Sequence, residues 1–207
     1  MVNLTPTYLL NISWVTLMSD RNRWLRRGLK TALLTFVLSL LFSYISDIFL
    51  GKITVIALAL LFLLLIILIG VLFDMIGFAA AAAEMGPLNA RAANRVWGAR
   101  QAVKLVKNAD QVSIFCNDVM GDICATVGGA IGVAIVFRLI ASSPGLDTTL
   151  LTIVITGLVA ALTVGGKAVG KGIALNEATE VMLRIGQIVA WVEKLTGQEL
   201  FSTKGKR

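Results

Sequence analysis

The sequence predicts an all-α, polytopic membrane protein, with four transmembrane helices and cytoplasmic juxtamembrane amphipathic helices. Three observations carry that prediction. Of 207 residues, 57% are hydrophobic and only 15% are charged, whereas soluble domains use about 25% charged residues. Four runs, about 30–50, 53–80, 111–141 and 148–173, are long enough to cross the hydrocarbon layer, which takes about 20 helical residues. Lys and Arg also fall almost entirely on one side of those runs, the asymmetry that keeps basic loops in the cytoplasm.

In chain order, residues 1–29 read as a cytoplasmic or interfacial segment carrying Trp14, Trp24 and the Arg21–Arg27 cluster. The cluster follows the first apolar patch, so the order is not that of a signal peptide. The span 30–50 comes next. The second span contains "ITVIALALLFLLLIILIG", the purest apolar run in the chain. The third and fourth are interrupted by "CNDVMGD" and "VGGKAVGK", and polar residues at membrane depth are functional-site hypotheses by default. Arg21, Arg23, Arg26, Arg27 and Lys30 precede the first span, and Arg91, Arg95, Arg100, Lys104 and Lys107 lie between the second and third. The short connections hold only Lys52 and Arg138. Both termini are therefore expected in the cytoplasm, with the protein in the cell membrane.

Two further stretches read as surface helices. Residues 88–110, "LNARAANRVWGARQAVKLVKNAD", space Arg and Lys among Ala, Val and Leu around Trp97, the pattern of a basic amphipathic helix on anionic lipid. In 176–200, Val181, Ile185, Ile188, Val192 and Leu195 keep one stripe at helical spacing beside Trp191. That stripe is expected to pack on the membrane or on a membrane or cytosolic partner. The basic tail, 201–207, is expected to be disordered.

Composition also excludes functions. Histidine is absent, which removes His-based zinc sites and the Ser-His-Asp triad. No nucleophile has a base near it, so enzyme chemistry is not expected. The net charge of +7 is accounted for by cytoplasmic loops rather than nucleic acid. Cys116 and Cys124, two turns apart on one helix, cannot bridge each other.

Asp74, Glu84, Asn117, Asp118 and Asp122 lie near the cytoplasmic ends of their spans. Asp118 and Asp122 are one helical turn apart and repel unless a cation or proton intervenes. A hard divalent cation would find carboxylate and amide oxygens in "CNDVMGD", while the bland reading makes these acids solvated caps or partners of the basic surface helix. "AAAAAE" and the pairs Gly128/Gly132 and Gly166/Gly170 allow close helix packing at the same depth.

From about 60 to 182 the order of these features resembles the transmembrane domain of the CNNM/CorB/CorC family, associated with magnesium and cobalt transport; with flanking residues the similar unit is 53–182. "AAAAAEM" places Ala83 and Glu84 at the family's Ser-Glu positions, and "GARQAVKLVKNADQV" matches its cytoplasmic amphipathic stretch. "IFCNDV" supplies Asn117, and "GKAVGKGIALNEATEV" matches at Gly166, Lys171, Ala174 and Leu175. The resemblance implies a homodimer whose acidic, inward-facing cavity takes Mg²⁺ or Co²⁺ as the transported ion. The metal-ligand candidates are then Glu84, Asn117, Asp118 and Asp122. Departures from the pattern are Ala83 for the serine, Lys167 for an acidic ligand and Gly170 for proline, with an added first span and nothing corresponding to the family's CBS domains. Protonated lysine has only donors and cannot ligate a metal ion. Two functions follow: an atypical transporter with a rearranged acidic site, or a transport-inactive scaffold or regulator in which Lys167 replaces the cation and pairs with Glu84 or Asp118.

Overall fold

A computed structural model describes residues 6–53, 55–142, 145 and 147–197, with side chains from Leu25 onward. The expectations for the 201–207 tail and for the side chains of Trp14 and Trp24 lie outside the described residues and side chains. The described residues are helical, with no strand among them. Four helices are long and apolar enough to span a membrane: Leu25–Lys52, Ile56–Ala82, Ala109–Ser142 and Thr148–Asn176. The protein is therefore a multi-pass, all-α membrane protein, its spans starting and ending within a few residues of the hydropathy runs.

The first helix, α1, runs unbroken from Pro6 to Lys52. It therefore includes most of the 1–29 segment expected to be cytoplasmic or interfacial: neither glycine nor proline occurs between Thr7 and Arg27, so nothing there interrupts the helix. At its far end Arg138 donates to the carbonyls of Leu50 and Ile53. The Leu50 carbonyl also accepts from the Ile53 N–H at 3.2 Å, so the guanidinium braces the turn that ends α1 and ties it to the third span.

Helix α2 (Ile56–Ala82) is central, packing most extensively on the third and fourth spans. Its buried face, Ala59, Leu63, Ile67, Gly70, Asp74 and Gly77, recurs every three or four residues, the period of one helical face. Leu63 and Ile67 pack with Ile123, Val127, Ile131 and Ile135 in an apolar cluster within the spans. The third span is built of α5 (Ala109–Ser113), a π-helical segment Ile114–Gly121 and α6 (Asp122–Ser142). The fourth span, α7 (Thr148–Asn176), opens on Asp147, whose carboxylate accepts from the N–H groups of Thr149 and Leu150 at 2.9 and 3.3 Å. Val159, Gly170 and Ala174 are its buried residues, with Ile155, Gly166 and Lys167 half-buried on the same side, and most of its remaining residues are exposed.

Between α2 and α5 the chain forms α3 (Met85–Ala93) and α4 (Ala99–Lys107). The single amphipathic helix expected over 88–110 is thus broken. Arg95 and Gly98 take positive φ of 56° and 79°, which reverses the chain between α3 and α4. Helix α8 (Ala178–Thr196) follows α7 and packs along α4. Its buried residues are Ala178, Met182, Leu183, Gly186 and Ala190; of the stripe expected to meet the membrane or a partner, Val181 and Ile185 pack on the adjoining core, while Ile188 and Leu195, with Trp191 beside them, are exposed. Small residues face the protein because backbones must approach closely: a Cβ on Gly186 would lie 2.4 Å from the Gly98 carbonyl oxygen. Ala79, Ala80, Leu88, Ala99, Ala102, Leu105 and Met182 form the second apolar cluster, which seats α3, α4 and α8 against the end of α2.

Candidate functional site

The apolar face of α2 is interrupted once by a charge. Asp74 stands between Gly70 and Gly77 and is only 4% exposed. On α7, Lys167 places its Nζ 2.9 Å from Asp74 Oδ2 and 3.8 Å from Asp122 Oδ1. The three helices meet closely because glycines line the contacts. A Cβ on Gly121 would fall 2.2 Å from Asp74 Oδ1, and one on Gly166 would fall 2.8 Å from a Val71 methyl. Gly170 also packs on Val71, so the pair Gly166/Gly170 brings Lys167 up to Asp74.

The π-helical segment forms the third wall. Its wider i→i+5 turn changes which residues share a face, and Asp118 and Asp122 diverge. Asp122, at the start of α6, lies toward Lys167 and is largely solvent-facing. Asp118 instead lines a crevice of about 650 Å³ with Arg27, Thr31, Thr35 and Ser39 of α1. Asn117 points at α2, where a Cβ on Gly77 would come 2.1 Å from its Oδ1. Its Nδ2 donates to Ser113 Oγ at 3.2 Å, while the buried Oδ1 has no hydrogen-bond partner.

Several sequence expectations are corrected by this arrangement. Lys167 pairs with Asp74 and Asp122, not with Glu84 or Asp118. Glu84 lies past the end of α2, exposed at the N-cap of α3: α2 ends at Ala82, and Ala83 is in extended backbone. Glu84, Asp118 and Asp122 do not converge: among the described residues no group of three or more Asp, Glu, Cys or His is placed to hold a metal ion. Lys171, one turn beyond Lys167, lies with Nζ 4.9 Å from the centre of the Phe78 ring, a cation–π contact. Cys116 and Cys124 are buried and unbridged.

No family model, curated protein or solved structure matches this chain.

The importance of Asp74 as the partner of Lys167 had a sequence signal. Gly70, Asp74 and Gly77 share one helical face, and a carboxylate flanked by glycines on an otherwise apolar face requires a close polar neighbour. The π-helical segment had no comparable signal. What the site offers chemically is a buried carboxylate neutralised by a tethered ammonium, beside an exposed carboxylate and an amide oxygen awaiting a partner.

Proposed function

We propose that this chain is a CNNM/CorB-like membrane module in which Lys167 occupies the place of the divalent cation, so that it serves as a transport-inactive scaffold or regulator. The observation that carries the reading is the 2.9 Å contact between Lys167 Nζ and the buried carboxylate of Asp74. A dehydrated divalent cation needs carboxylate, amide and carbonyl oxygens. An ammonium held covalently beside that carboxylate neutralises it at no diffusional cost. The ion that would otherwise be bound is excluded by charge and by occupancy. The one-sided Lys and Arg distribution supports cytoplasmic termini in a cell membrane, and the outward face of α7 supports a homodimer.

A second reading, an atypical Mg²⁺ or Co²⁺ transporter, is favoured by the partnerless Oδ1 of Asn117 and the exposure of Asp122. In it Lys167 is displaced when the ion arrives, leaving Asp74, Asn117 and Asp122 as ligands. Reconstitution into liposomes containing a Mg²⁺-sensitive dye separates the two. The scaffold reading expects no flux from the unaltered protein and Mg²⁺ binding only in Lys167→Glu. Flux through the unaltered protein that Asp74→Asn abolishes would overturn the scaffold and establish the transporter.

A further inference from the structure

A second polar feature lies away from Lys167, on the loop joining α3 to α4. Arg95 holds φ of 56°, the left-handed region that residues with a Cβ rarely adopt, and Gly98 follows at 79°. The loop is fixed from behind by α8. A Cβ on Gly98 would lie 2.5 Å from the Gln187 nitrogen, and one on Gly186 would lie 2.4 Å from the Gly98 carbonyl oxygen. With its backbone pressed onto α8, the loop borders a cavity of about 400 Å³ lined by Arg95, Trp97, Arg100, Gln101 and Ala190.

Charge and apolar surface are arranged around that cavity in a specific way. Lys194 stands with Nζ 5.9 Å from the centre of the Trp97 ring. Arg95 and Arg100 are the charged residues that line the cavity, and Gln101 of the lining donates through Nε2 to Glu193 at 2.9 Å. Beside them lie Trp97, Ile188, Trp191 and Leu195, each more than half exposed. Depth is set by α2. Ala79 and Ala80 in its last turns pack in one cluster with Ala99 and Ala102 of α4. A helix of 27 residues is about 40 Å long, against about 30 Å of hydrocarbon. The loop therefore stands at the level of the lipid headgroups.

We infer that the Arg95–Trp97–Arg100 pocket binds the phosphate of an anionic phospholipid headgroup, while Trp97, Trp191 and Leu195 enter the acyl boundary beside it. Guanidinium groups present paired N–H donors that match phosphate oxygens. Indole rings prefer the interface, where one edge is wet and the face is apolar. The site rests on none of the residues that hold Lys167.

The test uses the full chain reconstituted in vesicles of equal parts phosphatidylcholine and phosphatidylglycerol, with retained lipid counted by native mass spectrometry after transfer to detergent. Arg95→Gly removes the cation and relieves the left-handed strain, so loss of lipid without loss of the thermal midpoint separates binding from folding. The expected result is preferential retention of phosphatidylglycerol, about tenfold weaker in Arg95→Gly and in Arg100→Gln, and undisturbed by excess inorganic phosphate. Equal retention of both lipids, or retention in Arg95→Gly equal to the unaltered protein, would overturn the site. Displacement of the lipid by inorganic phosphate alone would also overturn it, making the pocket a free-phosphate site.

Discussion

Two of the ion pairs in this molecule lie at different depths, and the same chemistry has opposite weight in each. Lys167 and Asp74 meet among the spans, with side chains 27% and 6% exposed. Arg91 and Glu180 meet between α3 and α8, with side chains 34% and 50% exposed. In the first, loss of the ammonium strands a carboxylate that water cannot reach. In the second, water replaces whichever partner is removed. Burial, more than distance, sets what an ion pair is worth.

The largest expected effect breaks the inner pair. Lys167→Met should lower stability by about 3–5 kcal/mol, the usual cost of leaving one member of a buried pair alone, measured as the shift in chemical or thermal unfolding in detergent. Asp74→Asn should cost clearly less, because Lys167 keeps Asp122 at 3.8 Å and partial access to solvent. The double variant Lys167→Met/Asp74→Asn should recover much of the loss. Equal losses in the two single variants would mean that Asp74 is hydrated despite its burial.

A smaller effect sharpens the comparison between the two packing clusters. Gly121→Ala and Gly186→Ala each force a methyl group into occupied space, against Asp74 Oδ1 and against the Gly98 carbonyl respectively. Each should destabilise by about 1–3 kcal/mol, the range for overpacking. Hydrogen exchange should locate the first loss in α2 and α6 and the second in α4 and α8; a loss spread evenly over both regions would show that the clusters unfold as one unit.

The smallest effect belongs to the outer pair. The Glu180 carboxyl is held below its ordinary 4.5 by the hydrogen bond from Arg91 and by the charges of Arg91 and Arg184. Because its value is lowered on folding, its contribution is present above the unfolded value and is lost as pH falls through the folded one. Glu180→Gln should therefore change stability little at neutral pH and not at all at strongly acid pH. Added salt should remove what difference there is, while the Lys167→Met loss should persist in salt. A salt-sensitive Lys167→Met loss would erase the distinction between the two pairs.

The four spans, their order and their approximate ends were legible in the sequence, because hydrocarbon imposes a length and a polarity on any helix that crosses it. Asp74 and Lys167 were legible as exceptional for the same reason, and the small-residue pair Gly166/Gly170 marked the close approach that joins them. The glycines flanking Asp74 signalled a close polar neighbour, but the sequence expectation paired Lys167 with Glu84 or Asp118. Glu84 looked eligible by depth but falls beyond the end of α2, and Asp118 looked eligible by spacing but is turned toward α1 by the wide π-helical segment. Periodicity assumes one helical pitch, and the pitch changes there.

The surface helices illustrate the same limit. Hydrophobic spacing in 176–200 marked a stripe for the membrane or a partner; the structure turns Ile188 and Leu195 of it outward, while Val181 and Ile185 pack beside the buried Ala178, Met182, Leu183, Gly186 and Ala190. Next to a bilayer large apolar side chains have an alternative apolar surroundings, so size no longer says which face meets protein. The break in 88–110 rests on Arg95 and Gly98, and only Gly98 carried a signal for a left-handed turn. The sequence by itself determined a four-span membrane protein with a basic end and a charged exception within the spans, since solvation is a property of each residue's own chemistry. Only the tertiary structure decided that the exception is answered by Asp74 and Asp122, because pairing depends on where helices end, how they are wound and how closely their glycines let them approach.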